Sequence, residues 1–142
     1  MLQLQEDPQE REITMAKPGK MIGLGLFVLV FFILDRVLKW YFYNFDNEVL
    51  INGWFKLKMA LNPGIAFGIP FNSYFIIALY SLIIFFLIWF AVKYWKEKKV
   101  FVFFFFCLII FGAFSNLLDR LYLGKVIDYF DLKYYSVFNL AD

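Results

Sequence analysis

Residues 73–118 have the sequence SYFIIALYSLIIFFLIWFAVKYWKEKKVFVFFFFCLIIFGAFSNLL, and this stretch decides the fold class. It holds two apolar runs, from about Ser73 to Trp95 and from Val100 to Leu118, separated only by Lys96-Glu97-Lys98-Lys99. A helix of about 20 apolar residues crosses a hydrocarbon core about 30 Å thick. The stretch therefore predicts two transmembrane helices joined by a tight turn.

The rest of the chain fits the same surroundings. Of its 142 residues, 63% are hydrophobic and only 18% are charged, where soluble domains have about 25% charged residues. A further apolar run from Met21 to about Tyr43 is longer than the core of a cleaved signal peptide, which spans about 7–15 residues. We predict an α-helical multi-pass membrane protein with three transmembrane helices, composed of a polar N-terminal tail (1–20) and a membrane domain (21–142).

The distribution of lysine and arginine predicts the orientation. Residues 93–99 contain four lysines in and beside the short turn, whereas the positive charges on the other side are spread over longer segments. The total count is the same on both sides, but short basic loops determine orientation more strongly than long ones. We expect the N-terminus and the turn in the cytoplasm, with loop 44–72 and tail 119–142 on the outer face of the cytoplasmic membrane.

Loop 44–72 carries a strand pattern between two turn signals, Asn52-Gly53 and Pro63-Gly64. Its apolar positions are Phe55, Leu57, Met59 and Leu61, and they alternate with Trp54, Lys56, Lys58 and Ala60. A period of two is typical of a half-buried strand. The tail alternates less cleanly, so we expect a small extracytoplasmic β element centred on the loop.

Histidine is absent and Cys107 is the single cysteine, which limits the possible chemistry. Catalysis by Ser–His or Cys–His pairs and multi-cysteine metal sites are excluded, and we expect no metal and no cofactor. A net charge of +2 without a basic stripe does not indicate a nucleic-acid partner. Hydrolysis would have to use carboxylates or a Ser–Lys pair, and Ser81 in the second span has no lysine near it in the sequence.

Polar side chains at membrane depth are costly, so they are candidates for function. In this chain they converge on one leaflet: Asp35, Lys39, Asn116, Asp119, Arg120, Asp128, Asn139 and Asp142. Asp35 and Lys39 are four residues apart on one helix face, and we expect a structural ion pair rather than a catalytic one. Asp119 and Arg120 taken alone could simply mark the end of a helix. Asp131 is expected to be a solvated charge.

The pattern resembles lipoprotein signal peptidases, the signal peptidase II family, along residues 21–142. Four blocks match in order: Asp35-Arg-Val-Leu-Lys39, Asn62-Pro-Gly64-Ile-Ala66-Phe67-Gly68, Asn116-Leu-Leu-Asp119-Arg120 with Gly124-Lys-Val-Ile-Asp128-Tyr, and Phe138-Asn139-Leu-Ala141-Asp142. One block would be weak support. Four in order, with the expected spans between them, are strong support.

The resemblance implies an aspartic endopeptidase with Asp128 and Asp142 as the catalytic pair. It implies supporting roles for Asn116, Asp119, Arg120 and Asn139, with Asp119 and Arg120 expected to pair with each other, and substrate contacts at Asn62, Gly64 and Ala66. The implied substrate is a prolipoprotein cleaved just before its diacylglyceryl-modified cysteine, within membrane lipid, by a monomeric enzyme. The chemistry is consistent with this, since peptide hydrolysis without a metal needs one ionised and one protonated carboxyl.

The chain departs from the family pattern in three places. Residues 111–115 read FGAFS where the family has a glycine-rich run, and the stretch from Asp128 to Asp142 is a few residues shorter. The family also has a fourth span after the last block, whereas this sequence ends at Asp142. We therefore expect the polypeptide as given to be a poor enzyme with Asp142 on a frayed end. The alternatives are a catalytically inactive truncated relative, a non-enzymatic small membrane subunit, or a transporter fragment that relays protons.

Overall fold

A computed structural model of the chain describes residues 18–45, 48–51, 53–65, 69 and 71–142. These residues form seven elements: α1 (Pro18–Phe45), β1 (Val49–Leu50), β2 (Phe55–Asn62), α2 (Ser73–Lys96), α3 (Val100–Leu123), β3 (Val126–Leu132) and β4 (Val137–Phe138). All three helices are long and apolar enough to cross a membrane, with mean hydropathies of 2.3, 2.8 and 2.5 over their most apolar windows. The predicted fold class is confirmed. The expectation for the polar tail falls mostly outside the described residues.

The third helix continues beyond the predicted end of the span at Leu118 and stops at Leu123. Gly124 follows with φ of +69°, a left-handed conformation that glycine adopts without steric cost, and its N–H donates to the carbonyl of Arg120 at 3.0 Å. Asp119 and Arg120 therefore belong to the last turns of α3. Both side chains are buried, so these residues do more than mark the point where the helix leaves the membrane.

One narrow face of α1 is buried, and the rest of the helix is largely exposed to its surroundings. The buried positions are Val28, Asp35, Lys39 and Phe42, whose spacings of seven, four and three residues place them on one side of a helix. That face packs against α3 and the sheet. Two charged residues thus lie in the contact between elements, where apolar side chains are the rule.

The four strands form one antiparallel sheet in the order β1-β2-β3-β4. The central pair aligns Phe55 with Leu132 and Asn62 with Val126, with an irregularity between Leu57 and Ala60. The strand predicted from the alternation in the loop is confirmed, although Asn52 of the preceding turn signal lies outside the described residues. In β3 every residue from Val126 to Tyr129 is buried, which explains why its alternation is less clean.

Much of the buried core is polar. Among the residues that the structure describes, eight buried ones carry polar or charged side chains: Asp35, Lys39, Ser115, Asn116, Asp119, Arg120, Asp128 and Asn139. They lie where the sheet-side ends of α1 and α3 meet β3. The predicted convergence of polar residues is therefore seen in the structure, and buried groups of this kind require hydrogen-bond or ionic partners.

Candidate active site

The first carboxyl of the site belongs to Asp128, which β3 holds 2% exposed. Its Oδ1 accepts a hydrogen bond from Asn139 Nδ2 at 2.7 Å, and its Oδ2 accepts one from Asn62 Nδ2 at 3.2 Å. Burial raises the pKa of Asp128 to about 6, since a low-dielectric setting disfavours the charged form. The Asn139 hydrogen bond acts in the opposite direction, and the nearby charge of Asp142 raises this pKa further.

Asp142 supplies the second carboxyl. Its Oδ1 accepts from Asn116 Nδ2 at 2.8 Å, and its Oδ2 accepts from the backbone N–H of Asn139 at 3.1 Å. Asp128 and Asp142 both line a cavity of about 260 Å³. Both oxygens of the Asp142 side chain accept hydrogen bonds, one from Asn116 of α3 and one from the segment that follows β4, and the expected fraying of this residue stays a prediction.

Two asparagine amides connect the carboxyls to each other. Asn139 contacts both, through its side chain to Asp128 and through its backbone to Asp142. Asn116 Oδ1 accepts from Lys39 Nζ at 2.6 Å and from Asn139 Nδ2 at 3.1 Å. Since the oxygen of Asn116 already has two donors, its amide nitrogen is the end that faces Asp142.

A buried ionic cluster lies behind the carboxyl pair, on the side of α1. Lys39 Nζ lies 3.2 Å from Asp35 Oδ2 and 2.9 Å from Asp119 Oδ2, with the lysine side chain fully buried. Arg36 pairs with the other oxygen of Asp119. The predicted Asp35–Lys39 pair is confirmed, and it is one part of a larger cluster in which each charge has an opposite partner.

The predicted pair between Asp119 and Arg120 is wrong. Asp119 is occupied by Arg36 and Lys39, while Nη2 of Arg120 donates to the carbonyl of Gly64 and its guanidinium lies over the ring of Tyr80. Neighbouring residues on a helix point about 100° apart, so their side chains do not face each other. Nε and Nη1 of Arg120 have no hydrogen-bond partner among the residues that the structure describes.

A second, mainly apolar cavity of about 560 Å³ meets the first at the carboxyl pair. Tyr80, Asn116 and Asp142 line both cavities. The larger one extends between the helices along aromatic and aliphatic side chains such as Phe27 and Leu108. Asp142 therefore stands where the two cavities join, and Asp128 lines the smaller one, whose walls under the sheet carry the side chains of Asn62, Asn116 and Arg120.

The family model described as signal peptidase (SPase) II matches residues 27–142. The chain belongs to the signal peptidase II family. Its relatives include the lipoprotein signal peptidases of Chlorobaculum parvum, 36% identical over 86% of this chain and 87% of the relative, and of Syntrophomonas wolfei, 38% identical over 83% and 80%. A solved bacterial membrane enzyme, 24% identical, shares the fold with a TM-score of 0.71 over 88% of this chain and 79% of its own.

Of the positions that the signal peptidase II resemblance singled out, the structure brings together Asp128, Asp142, Asn116, Asn139, Asn62, Arg120 and Gly64, and sets Asp35, Lys39 and Asp119 behind them. Ala66 lies outside the described residues. The block Asn62-Pro-Gly64 forms a turn in which the Gly64 N–H donates to Asn62 Oδ1 at 3.0 Å. This turn fixes Asn62 with its amide nitrogen toward Asp128.

Three residues of this polar network were missed: Arg36, Ser115 and Tyr129. Ser115 Oγ donates to Asp35 Oδ2 at 2.6 Å, and Tyr129 donates to Asp35 Oδ1 at 3.0 Å. Ser115 precedes Asp119 by four residues, and this spacing on a helix could have indicated a shared face. No sequence signal identifies Tyr129 as a partner of Asp35, because the two residues come from distant parts of the chain.

Proposed function

We propose that this signal peptidase II family member is an aspartic endopeptidase that removes signal peptides from diacylglyceryl-modified prolipoproteins, with Asp128 and Asp142 as the catalytic carboxyls. One observation carries the aspartic assignment: Asn139 donates to both carboxyls at once, within a single cavity. Membership of the family supports proteolysis of prolipoproteins. The alternatives of a non-enzymatic subunit or an inactive relative are not favoured by these comparisons.

The chemistry divides between the two carboxyls. The ionised one takes a proton from a water molecule, whose oxygen then attacks the scissile carbonyl carbon. The protonated one donates a hydrogen bond to the carbonyl oxygen, and the leaving nitrogen receives a proton as the C–N bond breaks. With its pKa raised to about 6, Asp128 is suited to hold the shared proton. Asn116 and Asn139 would keep the two groups in place throughout.

The two cavities fit a substrate that is part peptide and part lipid. The peptide bond would lie in the smaller cavity beside Asp128, and the acyl chains with the apolar part of the signal peptide would extend into the 560 Å³ space between the helices. Nε and Nη1 of Arg120, which have no hydrogen-bond partner within the described part of the chain, would donate to substrate carbonyls. Asn62, Gly64 and Ala66 would contact the peptide from the sheet side.

The remaining roles follow from the contacts around the pair. Asp35 and Lys39 would be structural, since their partners are other members of the buried ionic cluster, the hydroxyls of Ser115 and Tyr129, and the amide of Asn116. Asp119 would support the site through Lys39. The lysine-rich turn between α2 and α3 supports a cytoplasmic location for that turn and for the N-terminus, with the site on the outer face of the cytoplasmic membrane. We propose that the enzyme acts as a monomer.

Substitution of each carboxyl tests the proposal. Asp128→Asn and Asp142→Asn should each abolish cleavage of a diacylglyceryl-modified prolipoprotein peptide in detergent, because neither carboxyl performs both proton transfers alone. Asp131→Asn is the matched control, since Asp131 lies on the same strand and pairs with Lys56 at 3.4 Å, away from the cavity. Turnover by either dyad variant at a rate close to that of the control would disprove the assignment.

A further inference from the structure

The hydroxyl of Tyr129 connects α1 to the segment that carries Asp142. Tyr129 is fully buried, and its Oη donates to Asp35 Oδ1 at 3.0 Å while it accepts from the backbone N–H of Leu140 at 3.0 Å. Leu140 lies between Asn139 and Asp142, the two residues whose contacts define the second carboxyl. The hydroxyl is therefore one hydrogen bond from the ionic cluster and one from the catalytic segment.

Strand geometry explains how Tyr129 reaches this place. Successive side chains of a strand point to opposite faces of the sheet, so Asp128 faces the cavity while Tyr129 faces the helices. Its ring stacks on Phe42 of α1, with centroids 5.5 Å apart and planes 13° apart. The ring packs on α1 in this way, and its hydroxyl reaches Asp35, which lies two turns before Phe42 on the same buried face of α1.

The direction of the two hydrogen bonds is fixed by the protonation of the phenol. Burial raises the pKa of Tyr129 well above its ordinary range, and the negative charge of Asp35 has the same effect. The phenol therefore keeps its proton at any pH at which the protein functions. That proton goes to the carboxylate of Asp35, and a lone pair of Oη remains to accept the Leu140 N–H.

Residues 139–142 behave as one unit on which the Leu140 contact acts. The Ala141 N–H donates to Asn139 Oδ1 at 2.8 Å, and the Asn139 N–H donates to Asp142 Oδ2 at 3.1 Å. These bonds close the segment on itself. A displacement of Leu140 is consequently passed to Asp142, and the hydroxyl of Tyr129 is the contact that ties Leu140 to α1.

We propose that Tyr129 is a positioning residue for peptide hydrolysis, acting through Leu140 to set where the Asp142 carboxyl stands relative to Asp128. The inference rests on the proposed aspartic mechanism and adds a residue that does not touch the substrate. Tyr129 lines neither of the cavities that contain Asp142, so its effect is on the reacting groups and not on substrate binding. A catalytic group misplaced by about 1 Å can lose on the order of a hundredfold in rate.

The test compares Tyr129→Phe with the unmodified full chain, using a diacylglyceryl-modified prolipoprotein peptide in detergent. Phenylalanine keeps the ring on Phe42 and removes only the oxygen, which leaves the Leu140 N–H and Asp35 Oδ1 each without this partner. We expect kcat to fall by about tenfold to a hundredfold, with KM changed by less than about twofold.

Two further variants separate positioning from stability. Phe42→Leu removes the stacked ring but leaves the hydroxyl, so it should lower the Tm while kcat falls by less than about threefold. Tyr122→Phe deletes a hydroxyl from a side chain that is 82% exposed and should change neither quantity. A kcat for Tyr129→Phe within about threefold of the unmodified chain overturns the inference, and so does an equal loss of kcat in Phe42→Leu.

Asp142→Asn, measured in the same assay, keeps the two hypotheses apart. If Asp142→Asn is inactive and Tyr129→Phe is fully active, the aspartic mechanism is supported and the positioning role of Tyr129 is wrong. If Asp142→Asn retains activity, the mechanism itself is wrong and the positioning role falls with it. A Tyr129→Phe enzyme whose KM rises while kcat is unchanged would assign the hydroxyl to substrate binding and would also overturn the inference.

Discussion

Asn139 donates its side-chain amide to Asp128 at 2.7 Å and its own backbone N–H to Asp142 at 3.1 Å. A single residue thus sets the positions of both carboxyls. Because the side-chain amide and the backbone N–H belong to one short segment, the two carboxyls cannot separate without breaking one of these bonds. The geometry gives a fixed pair of acids beside the junction of the two cavities.

Removal of the amide of Asn139 should impair catalysis more than folding. Asn139→Ala keeps the backbone N–H that donates to Asp142, but it removes the side-chain bonds to Asp128 Oδ1, to Asn116 and to the Ala141 N–H. We expect kcat to fall by about a hundredfold. Asn72→Ala is the control, since Asn72 caps α2 by accepting from the N–H groups of Tyr74 and Phe75. The control should lower the Tm without a comparable loss of kcat. Equal effects on kcat would show that Asn139 has no special relation to the reaction.

The pH dependence of kcat/KM should have its basic limb near pH 6. The pKa of Asp128 is raised to about 6, chiefly by burial, and kcat/KM reports ionisations of the free enzyme. Below this pKa Asp128 holds the shared proton, and above it the proton is lost, so kcat/KM should fall as the pH rises through about 6. A profile that is flat from about pH 5 to about pH 8 would contradict the role of Asp128 as proton holder.

Asn62 provides a second test of the fall of kcat/KM at high pH, and the direction of the expected shift is defined. Its amide hydrogen bond lowers the pKa of Asp128, because it stabilises the charged form of the carboxyl. Asn62→Ala removes that donor, so the pKa of Asp128 should rise and the basic limb of kcat/KM should move to higher pH. A movement to lower pH would show that the hydrogen bond has the opposite effect or that another group titrates.

The sequence predicted which residues converge, because charged groups at membrane depth are costly unless they are gathered in a protein interior. It did not predict how they pair. The sequence predicts an ion pair between Asp119 and its neighbour Arg120, but in the structure Asp119 pairs with Arg36 and Lys39 of α1. The choice is made by the packing of α1 on α3, which brings together residues 83 positions apart, and no local spacing encodes that contact.

The two long strands show where periodicity is informative and where it fails. β2 is only partly buried, and its sequence alternates as predicted, although the irregularity between Leu57 and Ala60 leaves Leu61 exposed. β3 has the cavity with Asp128 on one face and the helices with Tyr129 on the other, so both faces are buried and the pattern is lost. The role of Tyr129 is invisible in the sequence for the same reason, since it depends on which helix covers the second face.

Neutralisation of Asp35 should weaken folding and reduce activity only in part. Asp35→Asn removes one of the two carboxylates that flank the buried Lys39, while Asp119 remains at 2.9 Å. Breaking a buried pair costs about 3–5 kcal/mol, so the yield of folded protein and its Tm should fall. Glu97→Gln is the control, because its pair with Lys99 is on the surface, where ion pairs contribute little to stability. A stable Asp35→Asn protein without turnover would place Asp35 in the catalytic machinery.

The smallest decisive change is at Gly112 of α3. A Cβ at this position would overlap the backbone carbonyl of Ala141, the residue before Asp142, so the close approach of this segment to the helix depends on glycine. Because the obstructing atom belongs to the backbone, Gly112→Ala must push the segment away from α3, and Asp142 moves with it. Gly23→Ala is the matched control, since a Cβ there meets nothing within 4 Å.

Alanine is favoured over glycine in a helix by about 1 kcal/mol, so on helix propensity alone both variants should be slightly stabilised. We expect Gly112→Ala to lose on the order of a hundredfold in kcat while its far-ultraviolet circular dichroism stays that of a folded helical protein. Gly23→Ala should keep the activity of the unmodified chain. The comparison of the two variants separates the effect of moving the Asp142 carboxyl from the effect of a more stable helix. Full activity of Gly112→Ala would mean that Asp142 functions without the close contact between Ala141 and α3, and that contact would then have no part in setting the catalytic pair.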